Sequence, residues 1–486
     1  MGSEKNAKVE FGDFQTPYEF AEKVCLYLVG KGVGADSVVE PTCGVGAFVI
    51  AAAKHFSEAT SFEGYDINSK YISTAKAHAD GLNKQIKLEV GDFFELKWQE
   101  KISKLDGKLL IIGNLPWVTN AAIGSIGGGN LPSKSNFQGR SGFEAISGKA
   151  NFDISEWMLI DILKWFASRS GSVAMLVKTA VARKILAYAE KLQLNVERSF
   201  ITSINAKDVF DASVDACILY VELSQTQSVR NYDYIHYKDF DDDIGTVVAH
   251  RHGLVISDLT RFEREESFLG SPPQPWRSGI KHDASSVMEL TEREGGFTNG
   301  LGEPVNLETA YIYPLLKGSD IGSSKEWRRK HVIVTQRGVG QGTDVIQTAS
   351  PRLWQYLVSK ADILDARGSS IYEKNPRFSI FGVGEYAFKP WKIAICGMYK
   401  KLNFRLVGPI NDRPVMFDDT VYFVSFDTEA EAQEAFAKIT SDNGLNFLRS
   451  LIFWDEKRPI KTSILNRFDW MAGESKAVEQ PELLTS

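Results

Sequence analysis

Short apolar runs separated by amphipathic stretches dominate the first half of the chain. Val38-Val39 ends at Glu40, Phe62 to Tyr65 ends at Asp66, and Ile86 to Val90 runs into Asp92-Phe93. Leu109-Leu110-Ile111-Ile112 stops abruptly at Gly113-Asn114. The four aliphatics from Leu109 predict a buried strand of a parallel sheet covered on both faces, and the alternation from Ile86 predicts another strand. Between them, Phe20, Val24 and Leu28 mark one helical face, with Thr16 as its expected N-cap, Pro17 first and Glu19 third in a capping box. Small residues from Ala47 onward predict a helix that packs closely on the sheet, and Asn68 or Ser69 caps another. Asn151 to Phe166 reads as a capped amphipathic helix, Ser172 to Lys178 as a buried strand, Thr179 onward as a helix, and Asn205 to Leu223 as the last loop and strand. Strands alternating with helices predict an α/β fold that binds ligands at the carboxyl ends of its strands.

The second half changes character. Composition shifts at residues 224–243, read as a linker, and turn-rich strands follow. The expected organisation is a domain over residues 1–225, a second over 244–471 and a loose tail over 472–486. Residues 1–10 are polar and also expected to be loose. Val118 to Ala150 is a long polar segment carrying Lys134, Arg140 and Lys149; beside an active site it would contact phosphates or act as a lid, and elsewhere it would be a surface loop. No internal repeat is visible.

A chain of 486 residues with 43% hydrophobic and 24% charged content has ample material for two globular domains. Cys25, Cys43, Cys217 and Cys396 form no zinc spacing and no CxxC pair, which points to a reduced, cytoplasmic setting. No signal peptide or membrane span is expected, and no metal site. The net charge of −6 hides an asymmetry. Lys317 to Arg405 holds 16 Lys and Arg against 7 Asp and Glu, a net of +9, leaving 40 against 55, or −15, elsewhere. A basic segment in an acidic chain suits a polyanion partner; the alternative is a solvated basic face. Aromatic and basic residues interleave there, as in Glu326-Trp-Arg-Arg-Lys-His and Arg367 to Tyr386, and also at Trp276-Arg277.

The candidate chemistry lies at the strand ends. Gly44 and Gly46 follow Glu40-Pro41-Thr42-Cys43 and allow a tight turn before a helix. Asp66 comes about twenty residues later, the spacing of a ribose-hydroxyl contact. The loop lacks the third glycine of a dinucleotide fingerprint and the GK[ST] ending of a phosphate cradle. Glu40 would repel a pyrophosphate and suits a cationic or hydroxyl-rich ligand. An acid followed by an aromatic, Asp92-Phe93, suits an adenine. Asn114, Leu115, Pro116 and Trp117 combine acceptor oxygens with a flat ring and could hold a planar group with an exocyclic amine. The same four residues also suit an ordinary turn.

Phe14-Gln-Thr-Pro, Glu40-Pro-Thr-Cys-Gly-Val-Gly-Ala-Phe, Asp66-Ile67, Asp92-Phe-Phe and Asn114-Leu-Pro-Trp occur in the order of the TaqI-type (gamma-class) DNA adenine-N6 methyltransferases of restriction-modification systems, which the chain resembles over residues 11–225. The resemblance implies a Rossmann-like class I methyltransferase domain with a mostly parallel sheet, plus a C-terminal α+β target-recognition domain. It implies S-adenosyl-L-methionine (AdoMet) as cofactor, double-stranded DNA as substrate, base flipping, and a cognate restriction endonuclease as candidate partner. Cofactor contacts would come from Thr16, Pro17, Glu40, Pro41, Thr42, Cys43, Gly44, Gly46, Asp66, Ile67, Asp92, Phe93 and Asn114. The target base would meet Asn114, Leu115, Pro116 and Trp117, with Phe210 packing edge-on. Leu115 departs from the usual Asn-Pro-Pro-aromatic motif; an Asn-Leu-Pro-Tyr version is typical of ribosomal RNA adenine dimethylases. RNA adenine, DNA cytosine-N4 and protein-glutamine methyltransferases remain as rival readings, as does a catalytically inactive DNA-binding protein.

Overall fold

The computed structural model describes residues 15–117, 153–225 and 230–472. The chain divides into two compact units, Met1–Val255 and Ile256–Ser486. The expected roles of residues 1–10, Val118–Ala150 and nearly all of the tail fall outside the described residues.

In the first unit β1 (Ser37–Glu40), β2 (Ser61–Asp66), β3 (Ile86–Val90), β4 (Leu109–Asn114), β5 (Gly171–Lys178), β6 (Val196–Ile204) and β7 (Ala216–Leu223) alternate with α1 (Tyr18–Gly30), α2 (Ala47–His55), α3 (Ser69–Ala79), α4 (Trp98–Ile102), α5 (Ile154–Trp165), α6 (Thr179–Lys191) and α7 (Ala206–Phe210). The sheet runs β6-β7-β5-β4-β1-β2-β3 at its centre. Strands β1 to β5 pair in parallel, whereas β7 lies antiparallel to both β5 and β6. This is the expected α/β class I methyltransferase architecture. Strand order reverses beside β1, where β4 lies on one side and β2 on the other, and such switch points leave a crevice at the carboxyl ends.

Strand β1 is buried along its whole length, as its aliphatic run requires. Helix α2 buries Ala47 through Ala53. Phe48, Val49 and Ile50 are nearly or wholly inaccessible, and each such burial is worth about 1.5–3 kcal/mol. That packing anchors the loop between β1 and α2. Gly46, with φ of 86°, makes the turn into the helix, a conformation open to glycine at little cost.

Two sequence expectations are corrected. Pro17, not Thr16, is the N-cap of α1, and no side chain caps that end. The Thr16 hydroxyl instead accepts a hydrogen bond from Asn114 Nδ2 at 3.3 Å. The expected linker also contains a strand, and the sheet does not stop at residue 223. The strands β8 (Tyr234–Tyr237), β9 (Thr246–Arg251) and β10 (Leu254–Ile256) extend it outward from β6 to ten strands. Strand β8 pairs in parallel with Phe200 to Thr202, and Ser203 meets His236 at 2.8 Å. A shift in composition made this stretch read as linker, but β8 pairs along the edge of β6 and β9 along β8.

The second unit is α+β. A four-stranded antiparallel sheet joins Arg277–Ser278, Val421–Phe426, Trp391–Cys396 and Arg405–Val407. A six-stranded sheet includes Glu289–Arg293, Lys330–Ile333 and Ile312–Leu316, and one continuous core lies among these elements.

Candidate active site

The carboxyl ends of four neighbouring strands carry the acidic and amide residues picked out above. Glu40 ends β1, Asp66 ends β2, Asn114 ends β4, and Asp92 lies two residues beyond β3. Parallel pairing in register makes this edge, since Glu40 lies opposite Gly64 and Asp66 opposite Val90.

The loop after β1 is held from both sides. Asp66 Oδ2 accepts from the Gly44 amide at 2.9 Å, and its Oδ1 accepts from the Asn68 amide at 2.8 Å. Gln15 Oε1 accepts from the Val45 amide at 3.2 Å. Gly44 adopts φ of 51°, which favours glycine, and the Gln15 amide lies directly over it. Glu40 is 2% exposed, and its Oε2 accepts from the Val49 amide at 2.8 Å in the first turn of α2. Burial, with the nearby Asp66 charge, holds the Glu40 carboxyl well above the usual range, although the Val49 bond opposes the shift. A carboxyl group held this way binds an ammonium well, because an adjacent cation restores its charged form. Thr42 Oγ1 donates to the Asn114 carbonyl at 3.2 Å, tying the loop to the end of β4.

These residues fit the nucleoside and amino-acid parts of AdoMet. Buried Glu40 can meet an ammonium, Asp66 ends the neighbouring strand where a hydroxyl-bearing sugar could reach its carboxylate, and the tight glycine turn lies between them. Asp92 Oδ1 accepts from the Phe94 amide at 2.9 Å, which fixes the carboxylate beyond β3. Ile67 is 44% exposed, an apolar surface beside Asp66 on which a base can lie.

Two cofactor candidates turn away from this edge. Phe93 is buried and stacks on Trp165 with ring centroids 5.8 Å apart; it also meets Trp98, Phe94 and Trp157. Its expected packing on an adenine face is corrected, because four aromatic neighbours draw the ring into the core. The Cys43 thiol is buried against Gly64, and burial with the Glu40 charge pushes its pKa up. Pro41 is also buried within the loop.

On the other side of Asn114, Trp117 and Phe210 come together at 5.3 Å in an edge-on arrangement of 69°. They are 93 positions apart in sequence, and short α7 delivers Phe210 to the spot. Phe20 packs on the far side of Phe210 at 5.9 Å. Leu115, the departure from the usual motif, is 1% exposed, so its side chain packs in the core. Sequence reading missed Gln15, although it lies in the quoted Phe14-Gln-Thr-Pro stretch. It also missed Lys178, whose Nζ donates to the Trp117 carbonyl at 3.3 Å and to Asp153 Oδ2 at 2.7 Å. Nothing local marks that lysine; strand pairing brings it to the site.

The charge expectation is also modified. Of the basic residues from Lys317 to Arg405, Lys317, Arg328, Arg337, Arg352, Lys360, Arg377 and Lys389 form ion pairs. Four of their partners, Glu289, Glu303, Glu308 and Asp427, come from outside the segment. Arg367 donates to the Leu364, His282 and Ser379 carbonyls. Lys392 is 1% exposed, donates to the Val415 carbonyl at 2.7 Å, and is pushed down by burial to about 7. Trp276 is a core residue. No helix among the described residues is long and apolar enough to cross a membrane.

No family model matches the chain. It is 47% identical over 472 residues to the Type II methyltransferase M.NspV of Nostoc sp., covering 96% of this chain and 97% of the relative. The Type IIL restriction-modification enzyme MmeI, solved in complex with DNA, superposes with a TM-score of 0.51 at 12% identity, over 94% of this chain. The chain spans only 65% of that longer enzyme, so this likeness concerns the fold. A type I restriction-modification methyltransferase subunit from Streptococcus thermophilus aligns over 46% of each chain at 14% identity, with a TM-score of 0.32. The chain belongs to the Type II methyltransferases of restriction-modification systems, and its methyl donor is S-adenosyl-L-methionine.

Proposed function

We propose that the protein is a TaqI-type DNA methyltransferase that modifies the exocyclic N6 amine of adenine in duplex DNA. The observation that carries this reading is the cluster of Asn114, the Leu115 main chain, Trp117 and Phe210 beside the Glu40 and Asp66 edge. A base amine cannot reach such a recess from inside the stack, so the target nucleotide swings out. Trp117 takes the face of the base and Phe210 its edge, replacing the contact the two rings make with each other. Stacking of this kind is worth about 1–3 kcal/mol. Asn114 Oδ1 and the Leu115 carbonyl accept the two amine hydrogens, which draws electron density onto nitrogen and aims its lone pair.

Bound AdoMet supplies an electrophilic methyl group on a sulfonium. The methyl group would pass to the amine nitrogen with the thioether as leaving group and the amine proton lost afterwards, so this chain's residues need only orient the amine and no strong general base is required. Glu40 holds the methionine ammonium, Asp66 the ribose hydroxyls and Asp92 the adenine amine. Thr16 and Pro17 close over the cofactor, with Gln15 bracing the glycine loop. Orientation and electrostatics carry most of the rate. The methylated DNA would be protected from a cognate restriction endonuclease.

Modified-base sequencing of DNA from cells expressing the protein tests the reading. N6-methyladenine at one recurring sequence is expected, and Asn114→Ala should abolish it while binding AdoMet within about threefold of wild type, under 1 kcal/mol. Methylcytosine, unmodified DNA alongside methylated RNA, or substantial transfer by Asn114→Ala would each refute it.

A further inference from the structure

Two loops of the second unit lie against each other. The Asn403 side chain donates to the Gly322 carbonyl at 3.1 Å and to Ser324 Oγ at 3.2 Å. Arg405 Nη1 donates to the Lys325 carbonyl at 2.6 Å, and Ser323 Oγ meets Tyr399 Oη at 3.3 Å. A Cβ on Gly322 would lie 2.7 Å from the Tyr399 ring, which shows how closely the loops approach. Trp327 braces the first loop from within, donating to the Lys330 carbonyl at 2.8 Å.

These loops, residues 322–330 and 398–405, hold seven Lys and Arg against one acid, Glu326. They therefore account for +6 of the +9 in the wider segment. Six cations of that segment, Lys325, Arg329, Lys330, Lys374, Lys400 and Lys401, form neither an ion pair nor a side-chain hydrogen bond among the described residues, and five of the six stand on these two loops. Lys325, Arg329, Lys400 and Lys401 are exposed. Arg329 adopts φ of 54°, where a residue with a side chain is uncommon, and its carbonyl is pinned by the Glu292 amide at 2.9 Å and by His331 Nδ1 at 3.2 Å. Exposed Met398 borders the patch.

We infer that this braced two-loop platform grips the phosphate backbone of the DNA duplex, with Lys325, Arg329, Lys400 and Lys401 as the contacting cations. The inference rests on the proposed DNA substrate. Elsewhere in the segment most cations are neutralised by carboxylates or turned into the protein; here they are left to solvent on a rigid base. Clustered unpaired cations favour a polyanion and position it without reading sequence.

The full-length protein is titrated against a fluorescent random-sequence duplex over a range of salt. Lys325→Ala, Arg329→Ala, Lys400→Ala and Lys401→Ala combined should weaken binding at least tenfold and reduce the log–log salt slope by about 2–4, near 0.9 for each phosphate no longer neutralised. AdoMet affinity should stay at the wild-type value, which reports an intact fold. Lys374→Ala, an exposed unpaired cation off the platform, should leave the slope in place. An unchanged slope in the fourfold variant, or an equal loss in Lys374→Ala, overturns the platform while leaving the substrate reading standing. A wild-type protein that methylates RNA and not duplex DNA overturns the substrate reading and the platform with it.

Discussion

Glu40 shows how one buried side chain can tie cofactor binding to pH. Its carboxyl is held above the ordinary range by burial, so the ligand-free protein keeps a proton there that an exposed glutamate would have lost. The sign is that of an acid with a raised folded pKa: its ionisation costs stability as pH rises past the unfolded value. A methionine ammonium reverses the balance, because it pairs with the ionised form. AdoMet binding should therefore release a proton and tighten as pH rises above the ordinary glutamate value of about 4.3 toward the titration of the ligand's α-amino group near about 8. Calorimetry in buffers of different ionisation enthalpy measures both quantities. Glu40→Gln should bind more weakly and lose the pH dependence; a full wild-type profile in that variant would place the ammonium elsewhere.

At the scale of elements, the end of β4 is held by its neighbours as much as by its own sequence. Lys178, the last residue of β5, donates to the Trp117 carbonyl and to Asp153, the N-cap of α5. Asn114 lies opposite Leu176 in the register of these two strands, so the lysine stands just past the amide. We read it as a positioning residue that fixes the main chain under Trp117. Lys178→Met keeps the aliphatic stem and removes the ammonium. It should lower kcat by up to about a hundredfold, since small misplacements of reacting groups cost that much, with AdoMet affinity unchanged. Lys178→Arg should restore most of the rate. A lowered melting temperature with kcat intact would make the residue purely structural.

For the whole molecule, the boundary of the catalytic unit has a practical consequence. A chain ending at residue 225 removes β8 to β10 and uncovers the edge of β6, where Phe200 and Ile201 are nearly inaccessible in the intact sheet. An open apolar edge invites pairing with another chain. Residues 1–255 expressed alone should be monomeric and bind AdoMet within about threefold of the full-length value, less than 1 kcal/mol. Residues 1–225 should aggregate. Light scattering and calorimetry decide the matter: two equally soluble, equally active fragments would show that β8 to β10 are dispensable.

Much of the first unit was legible in the sequence because its signals are local. An aliphatic run ending in an acid or amide makes a parallel strand with that residue at its carboxyl end, whatever surrounds it. Glu40, Asp66, Asp92 and Asn114 therefore fell along the carboxyl edge of the sheet, and Gly46 at the turn that needs a left-handed backbone. What depended on distant partners was decided only in three dimensions. Phe93 follows an acid as an adenine-facing ring might, yet Trp98 and Trp165 claim it. Thr16 has the spacing of a helix cap, yet its hydroxyl serves Asn114. Lys178 carries no motif at all. The basic segment counted +9 along the chain, but ion pairs with Glu289, Glu303, Glu308 and Asp427 remove much of that charge and leave it concentrated on two adjoining loops. Hydrophobic periodicity is written residue by residue, whereas the partner of a charge or a ring is set by which strands and loops the fold brings together.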